Sequence, residues 1–145
     1  MTQQWDLTWV NVARTLAERS ADPSTRVGAV VSTGDEQGTP RVHGEGWNDL
    51  VRGSPPSFWD DRALKYPHVV HAEVAAILDA GEWCRGATLT VSAHPCRDCA
   101  RLAVAAGIEC VVCPEGPWRD DPEVRRSVEE ARLIFERASV RVVHF

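Results

Sequence analysis

Apolar and polar positions along this chain fall into segments whose spacing predicts a succession of helices and strands. A first helix is predicted over residues 5–20 from an apolar stripe at helical spacing, which consists of Trp5, Trp9, Val12, Ala13 and Leu16. Segments 27–32 and 41–47 predict two strands, paired as a hairpin with a long connection. Segment 48–67 is rich in proline and predicts an irregular surface loop with one helical turn.

The second half of the chain alternates regularly between the two kinds of element. We predict helices over residues 71–80, 96–106 and 122–138, and strands over residues 87–92, 108–113 and 139–144. Such alternation requires crossover connections, which join parallel strands. The last helix has a typical start at Asp121-Pro122-Glu123, and its apolar stripe consists of Val124, Val128, Ala131, Phe135 and Ala138. The pattern predicts one α/β domain over residues 1–145, with a hairpin at one end.

Composition and charge narrow the class of protein. No signal peptide or membrane-spanning run is visible, so we expect a cytoplasmic protein without a membrane partner. The net charge is −5, which argues against a long nucleic acid as the partner. Four arginines of the last helix alternate with glutamates, as on a solvated face. A small anionic ligand needs only a local positive pocket, which the net charge does not reveal.

The five cysteines are an odd number, which argues against a disulfide framework and favours metal ligands or buried thiols. Cys110 and Cys113 lie three apart in a predicted strand, so their side chains should face opposite sides of the sheet. We therefore interpret this pair as buried free thiols rather than as a chelating pair.

Two other short segments carry candidate chemistry, His71-Ala72-Glu73 and Pro95-Cys96-Arg97-Asp98-Cys99. Their combination is the signature of zinc-dependent nucleobase deaminases. Cys96 and Cys99 lie on one face at the predicted start of a helix, where the helix dipole favours thiolates. At the first turn of another helix, His71 and Glu73 can both lean towards its N-terminal end. We predict that two helix N-termini face each other, with one zinc ion held by His71, Cys96 and Cys99.

Three protein ligands leave one tetrahedral position open for water, as in catalytic rather than structural zinc sites. Zinc lowers the pKa of such a water to about 7, and the hydroxide can attack a ring carbon that bears an amino group. Glu73 would carry the water proton to the ring nitrogen and to the leaving ammonia. The alternative is a non-catalytic zinc-binding domain, with Cys84 or His94 as the fourth ligand.

Over nearly its whole length the chain resembles the deoxycytidylate (dCMP) deaminases of the cytidine deaminase-like superfamily. The segments that carry this resemblance are 22–29, Gly46-Trp47-Asn48, 65–73, 95–101 and Ala106-Gly107-Ile108. The resemblance implies a three-layer α/β/α fold with a mixed five-stranded sheet, often assembled as a homo-oligomer. It implies hydrolysis of dCMP to dUMP and ammonia, with zinc on His71, Cys96 and Cys99 and with Glu73 as the proton shuttle.

The resemblance also implies which residues contact the nucleotide substrate. Asn48 matches an asparagine that lines the pocket, and the further candidates for substrate contacts are Ser24, Arg26, Lys65, Tyr66 and Ala72. Of these, Arg26 would supply the local positive charge that a phosphate needs. Trp47 and Trp59 flank the irregular loop and are candidates for base stacking.

Two positions depart from the family pattern, Ala75 in place of an asparagine and Asp49 in place of a glycine. Ala75 removes a hydrogen-bonding side chain, and Asp49 adds a carboxylate at a turn involved in nucleotide-triphosphate control in regulated members. A nucleoside, a free base or a 5-substituted cytosine nucleotide therefore stay open as alternative substrates.

Overall fold

The structure is a computed structural model that describes residues 4–34 and 38–145, with side chains from residue 7 onward. Its helices and strands follow one another as α1 (Gln4–Ala17), β1 (Gly28–Gly34), β2 (Pro40–Trp47), β3 (Asp49–Leu50), α2 (Arg62–His68), β4 (Val69–Val70), α3 (Ala72–Ala80), β5 (Thr88–Val91), α4 (Arg97–Ala106), β6 (Cys110–Cys113), α5 (Pro122–Arg137) and β7 (Arg141–His144). Within these ranges, none of the helices has the length and the apolar character needed to cross a membrane.

Five strands form one mixed sheet in the order β2-β1-β5-β6-β7. β1 is antiparallel to both of its neighbours, whereas β5, β6 and β7 are parallel, as their helical crossovers require. β3 and β4 pair separately as a short two-stranded ribbon. The predicted hairpin and the parallel half are both confirmed, and the hairpin connection includes residues 35–37, which lie outside the described residues.

Helices cover both faces of the sheet, which gives the predicted three layers. On one face, Val10 of α1 packs with Cys110 and Val112 of β6. On the other face, α3, α4 and α5 enclose the larger core, which includes Leu89 and Phe135. Cys110 and Cys113 belong to different cores, so the prediction that they face opposite sides is confirmed.

Glycines bring two helices close to the sheet. A Cβ atom at Gly28 would lie 1.9 Å from the carbonyl oxygen of Ala13 in α1. On β2, a Cβ atom at Gly44 or Gly46 would lie within 2.4 Å of a carbonyl oxygen of α3. The facing residues of α3 are alanines, so β2 and α3 approach almost backbone to backbone. This contact fixes the N-terminus of α3.

Three sequence predictions need correction. The first helix ends at Ala17 instead of residue 20, because the amides of residues 18–20 bond to carbonyls three residues back in tighter turns. Val10 and Ala17 are buried on its stripe, Val12 is only half-buried, and the side chain of Trp5 lies outside the described residues. In the last helix, Ala138 is exposed as the C-cap rather than part of the buried stripe.

The segment over 48–67 is more ordered than predicted. It contains β3, a 3₁₀ turn over Pro56–Asp60 and most of α2. The Asp61 side chain caps α2 by accepting a hydrogen bond from the Ala63 amide at 3.0 Å. α2 has no buried residue, so the sequence carries no apolar stripe that would reveal it.

Candidate active site

A cavity of about 660 Å³ opens beyond the carboxyl ends of β5 and β6. This volume suits a small-molecule ligand. The N-terminal turns of α3 and α4 line one part of the cavity. Segment 22–27 with Asn48 lines a second part, while α2 and residues 118–127 line a third. The first turn of α4 follows β5 and residues 118–127 follow β6, so the cavity lies at the carboxyl ends of parallel strands, where ligands of α/β proteins commonly bind.

His71, Cys96 and Cys99 bring their side chains together at this cavity. The Nδ1 atom of His71 lies 3.3 Å from Cys99 Sγ and 3.6 Å from Cys96 Sγ, and all three candidate ligand atoms lie within 4.8 Å of one another. For tetrahedral zinc, ordinary Zn–N and Zn–S bond lengths place nitrogen and sulfur ligands about 3.5 Å apart. The donor set and its spacing therefore fit a zinc ion.

Two helix N-termini hold this cluster, as the sequence predicts. His71 is the N-cap of α3, and Cys96 is the N-cap of α4 with its sulfur accepting a hydrogen bond from the Cys99 amide at 3.4 Å. The Cys99 thiol donates a hydrogen bond to the Cys96 sulfur. This bond lowers the pKa of Cys96 to about 4 and raises the pKa of Cys99, which keeps its proton as the donor. Cys96 is thus poised as a thiolate. The hydrogen bond with Cys96 raises the pKa of His71 to about 9, so binding of zinc would release one proton from Cys99 and one from His71.

α5 supports the second of these N-termini from outside. The Arg97 amide donates to Ser127 Oγ at 3.0 Å, and the Arg97 guanidinium pairs with Glu130 at 2.8 Å. An amide at a helix start has no partner within its own helix, so Ser127 satisfies a group that would otherwise need water. Nothing in the sequence pattern indicates this contact.

Glu73 lies beside the cluster without belonging to it. Its carboxyl is 5% exposed, lines the cavity and follows the first residue of α3. Burial raises the pKa of Glu73, and the neighbouring His71 partly opposes that shift. A buried carboxyl with a raised pKa next to a metal site can exchange protons near neutral pH.

The structure does not supply a fourth protein ligand from the two residues considered above. Cys84 donates to the Ile77 carbonyl at 3.6 Å, and His94 Nδ1 bonds to the Pro95 carbonyl at 2.9 Å. Among the described residues, the group of side chains able to hold a metal consists of His71, Cys96 and Cys99. A three-residue set beside a cavity has the form of a catalytic site.

Comparison with known families agrees with this geometry. Residues 3–115 match the family model described as the cytidine and deoxycytidylate deaminase zinc-binding region. The chain belongs to this deaminase family. Zinc is therefore its cofactor, and the resemblance inferred from the sequence is confirmed.

Relatives within the deaminase family extend along most of the chain. The deoxycytidylate deaminase of Mus musculus is 32% identical and that of Homo sapiens 31%, each over 94% of this chain and 77% of the relative. The dCMP deaminase of cyanophage S-TIM5 superposes over both whole chains with a TM-score of 0.72 at 20% identity. That phage enzyme is also known in complex with dCMP and dUMP. The superposition establishes the shared fold.

In this family member, Asn48 lines the cavity, but its side chain forms hydrogen bonds with other groups of the protein. Its amide donates to Asp22 Oδ2 at 3.1 Å and to the Thr25 carbonyl at 2.9 Å, and its oxygen accepts from the Val27 amide at 2.8 Å. Asp22 is itself buried and also accepts from the Ser24 amide at 2.8 Å. Asn48 thus shapes the cavity wall through segment 22–27. Sequence reasoning missed Asp22, although its place before Pro23 is typical of a turn-forming side chain.

The predicted substrate contacts divide into residues at the cavity and one residue away from it. Ser24, Lys65, Tyr66 and Ala72 all line the cavity. Arg26 does not: its exposed side chain lies back along the loop, where Nε donates to the Asp22 carbonyl at 3.4 Å.

Two arginines at the cavity, Arg62 and Arg119, were not singled out from the sequence. Arg62 donates to the Tyr66 hydroxyl at 3.1 Å. Hydrogen bonds from Arg119 and then Arg62 lower the pKa of Tyr66, so two guanidiniums converge on one phenol oxygen. Trp118 lies beside them in the cavity wall. Arg119 and Trp118 lie at least fifty positions after the end of α2, and only the fold brings them together.

The two departures from the family pattern lie outside the cavity lining. Ala75 faces β2, with its Cβ 2.8 Å from where a Cβ of Gly46 would stand. Asp49 is exposed and bonds to the Leu50 amide. Trp47 is also absent from the lining and packs under Arg19, whereas Trp59 lies at the outer rim. Neither departure alters a side chain that faces the cavity in this structure.

Proposed function

We propose that this chain is a zinc-dependent deaminase that hydrolyses dCMP to dUMP and ammonia. The observation that carries the proposal is the contact of His71, Cys96 and Cys99 at a ligand-sized cavity, with Glu73 buried beside them. The three residues would hold one zinc ion per chain. The choice of dCMP is supported by deoxycytidylate deaminases that share about a third of the sequence.

The chemistry divides between the metal and Glu73. Bound zinc supplies an acidified water, with a pKa of about 7, at the cavity. Glu73 accepts a proton from this water and delivers it to the ring nitrogen next to the amino-bearing carbon. The water oxygen bonds to that carbon, and Glu73 then carries the second proton of the water to the amino group. The carbon–nitrogen bond breaks as the new carbonyl forms, and the amino group leaves as ammonia. Burial at 5% exposure keeps bulk water from competing for these protons.

The phosphate of dCMP has a matching site at the outer part of the cavity. Arg62 and Arg119 converge on the Tyr66 hydroxyl there, and among the described residues no carboxylate forms an ion pair with Arg62. Guanidinium groups bind phosphate through paired hydrogen bonds. Arg62, Tyr66 and Arg119 therefore replace Arg26 as the residues proposed to contact the phosphate.

Ammonia release from dCMP, CMP, deoxycytidine and 5-methyl-dCMP, measured side by side with the zinc-loaded protein, tests the proposal. We expect dCMP to have the highest kcat/KM and deoxycytidine to be turned over poorly because it lacks the phosphate. Preference for deoxycytidine would move the assignment to a nucleoside deaminase. Failure of all four substrates with zinc bound at one per chain would refute the proposed substrate class.

Glu73→Gln separates a catalytic domain from a zinc-binding domain without activity. The amide cannot carry protons, so turnover should fall by at least 10²–10⁴-fold, the usual share of general acid–base catalysis. Zinc content should stay at one per chain, because Glu73 is not in the ligand set. Glu123→Gln is the matched control, since Glu123 also lines the cavity but is largely exposed and should leave turnover unchanged. Loss of zinc from Glu73→Gln would contradict the role given to Glu73.

We also propose that the chain forms a homo-oligomer in a reducing compartment such as the cytoplasm. Leu78 in α3 is 74% exposed and Trp83 just after it is 60% exposed, and large apolar side chains of this kind are often covered by a partner. The five cysteines all lie in the described part of the chain and form no disulfide there, as is usual in a reducing compartment. Light scattering should give a mass above 16.0 kDa for the chain and a lower mass for Leu78→Glu. A monomeric native protein would refute the assembly.

A further inference from the structure

Lys65, the sole lysine of the chain, lies at the cavity but is already paired. Its Nζ atom donates to Asp22 Oδ1 at 2.8 Å, and the two side chains are 16% and 5% exposed. The ammonium also lies 5.5 Å from the centre of the Trp59 ring. Such a partly buried pair has a fixed geometry, because breaking it would leave the Asp22 carboxylate buried with one donor fewer.

Asp22 is in turn held from several sides. Its Oδ1 accepts from the Ser24 and Thr25 amides, and its Oδ2 accepts from Asn48. Through Lys65 this anchored carboxylate reaches α2, a seven-residue helix with no buried residue of its own. The ion pair is therefore a principal tie between α2 and segment 22–27.

Arg62 and Tyr66, the residues of α2 proposed above to contact the phosphate, lie three residues before and one residue after Lys65. Their positions relative to Arg119 depend on where α2 lies. Lys65 has its charge balanced by Asp22, whereas Arg62 has no acidic partner in the described part of the chain. Arg119 lies 3.8 Å from the Asp121 carboxylate, so the unpaired positive charge available for an incoming anion comes from Arg62.

We propose that Asp22 and Lys65 are positioning residues, which hold α2 so that Arg62, Tyr66 and Arg119 together receive the anionic end of the substrate. This inference rests on the proposed function, since it takes a phosphate-bearing nucleotide as the ligand. The rival hypothesis is that Lys65 binds the phosphate directly with its remaining N–H groups. The two hypotheses predict opposite effects of removing the charge of Asp22.

The kinetic test compares KM and kcat for dCMP in Lys65→Met, Asp22→Asn and the double variant. If Asp22 and Lys65 act as positioning residues, each single change raises KM roughly tenfold while kcat stays within about threefold, because the reacting end of the cavity is untouched. The double variant should be no worse than either single variant, since both break one tie. Asp49→Asn, an exposed carboxylate outside the cavity, is the control and should match the native protein.

Two outcomes would overturn the inference. In the first, Asp22→Asn lowers KM or leaves it unchanged while Lys65→Met raises KM. Lys65 would then contact the phosphate itself, because loss of the Asp22 carboxylate frees its ammonium for the substrate. If either single change lowers kcat together with zinc content, its role is general folding rather than positioning. A native protein that fails to turn over dCMP refutes the proposed function instead, so the two failures are distinguishable.

The single lysine allows a direct measurement as well. Protein labelled with ¹³C,¹⁵N-lysine gives one set of side-chain resonances, all from Lys65. The Nζ resonance should change little when dUMP is added to the native protein, because the Asp22 contact persists. A large shift with dUMP but none with deoxyuridine would show direct contact with phosphate and would contradict the positioning role.

Discussion

Gly46→Ala should displace the helix that carries the active site. A Cβ atom at this position would stand 2.4 Å from the Ala72 carbonyl oxygen and 2.6 Å from the Ala76 amide nitrogen. Both are backbone atoms of α3, so no side chain can rotate away. Ordinary contacts begin near 3.4 Å, so α3 must retreat from β2 by about 1 Å.

This displacement has two expected consequences. Overpacking of a tight interior contact costs about 1–3 kcal/mol, so the free energy of unfolding should fall by that amount. His71 and Glu73 move with the N-terminus of α3, and a misplacement of ~1 Å at a reacting centre can lower a rate about 10²-fold. We therefore expect kcat/KM for dCMP to fall by up to two orders of magnitude in a protein that still folds.

Urea unfolding and initial-rate kinetics on the same preparations measure both consequences. Gly116→Ala is the control, because its Cβ atom would meet no heavy atom within 4 Å. That variant should be unchanged or more stable by about 0.4–1 kcal/mol, since alanine reduces the freedom of the unfolded chain. Native stability and native rate in Gly46→Ala would refute the claim that the β2–α3 contact fixes the site.

Three further changes test other parts of the structure. Asn48→Ala leaves the Val27 amide and the Thr25 carbonyl without their side-chain partner, and should lower the free energy of unfolding by about 2–4 kcal/mol in urea denaturation; a loss under about 0.5 kcal/mol would contradict the bonding described. Phe135→Ala empties a fully buried position and should cost about 3–5 kcal/mol, whereas Leu133→Ala on the same helix, 39% exposed, should cost far less. Removal of zinc by a chelator should abolish ammonia release and preserve the far-ultraviolet circular dichroism, because the large core lies between the sheet and α3–α5; unfolding on chelation would show instead that the metal holds the fold together.

The sequence was sufficient for those parts of the molecule that depend on local patterns. The alternating segments after His71 predict the parallel half of the sheet, because amphipathic helices and apolar strands each have a characteristic spacing of apolar residues in the sequence. The two segments with the metal ligands are recognisable from the sequence, because each places its functional residues within one helix turn. Gly28, Gly44 and Gly46, however, appear in the sequence only as glycines in strands, and their role emerges from the helices that pack on them.

The outer part of the cavity was predictable only in part. Its contacts join segments that are distant in sequence, and no hydrophobic periodicity links such segments. α2 buries no residue, so no apolar stripe marks it. Arg26 was the natural candidate for a phosphate contact by family resemblance, but its side chain bonds to its own loop. Lys65 lines the cavity, and its pairing with Asp22 joins residues 43 positions apart, so the sequence around either residue does not indicate it.

The two ends of the cavity are built from different kinds of structure. The reacting end stands on helix N-termini packed against the sheet, whereas the outer end consists of a short surface helix and the segment around Trp118. Mutations in the outer end can therefore change substrate binding while the reacting groups stay in place, as is usual for loops on a rigid scaffold. A library of variants restricted to four positions would therefore most readily give this deaminase a new substrate range. These positions are Arg62, Tyr66, Trp118 and Arg119.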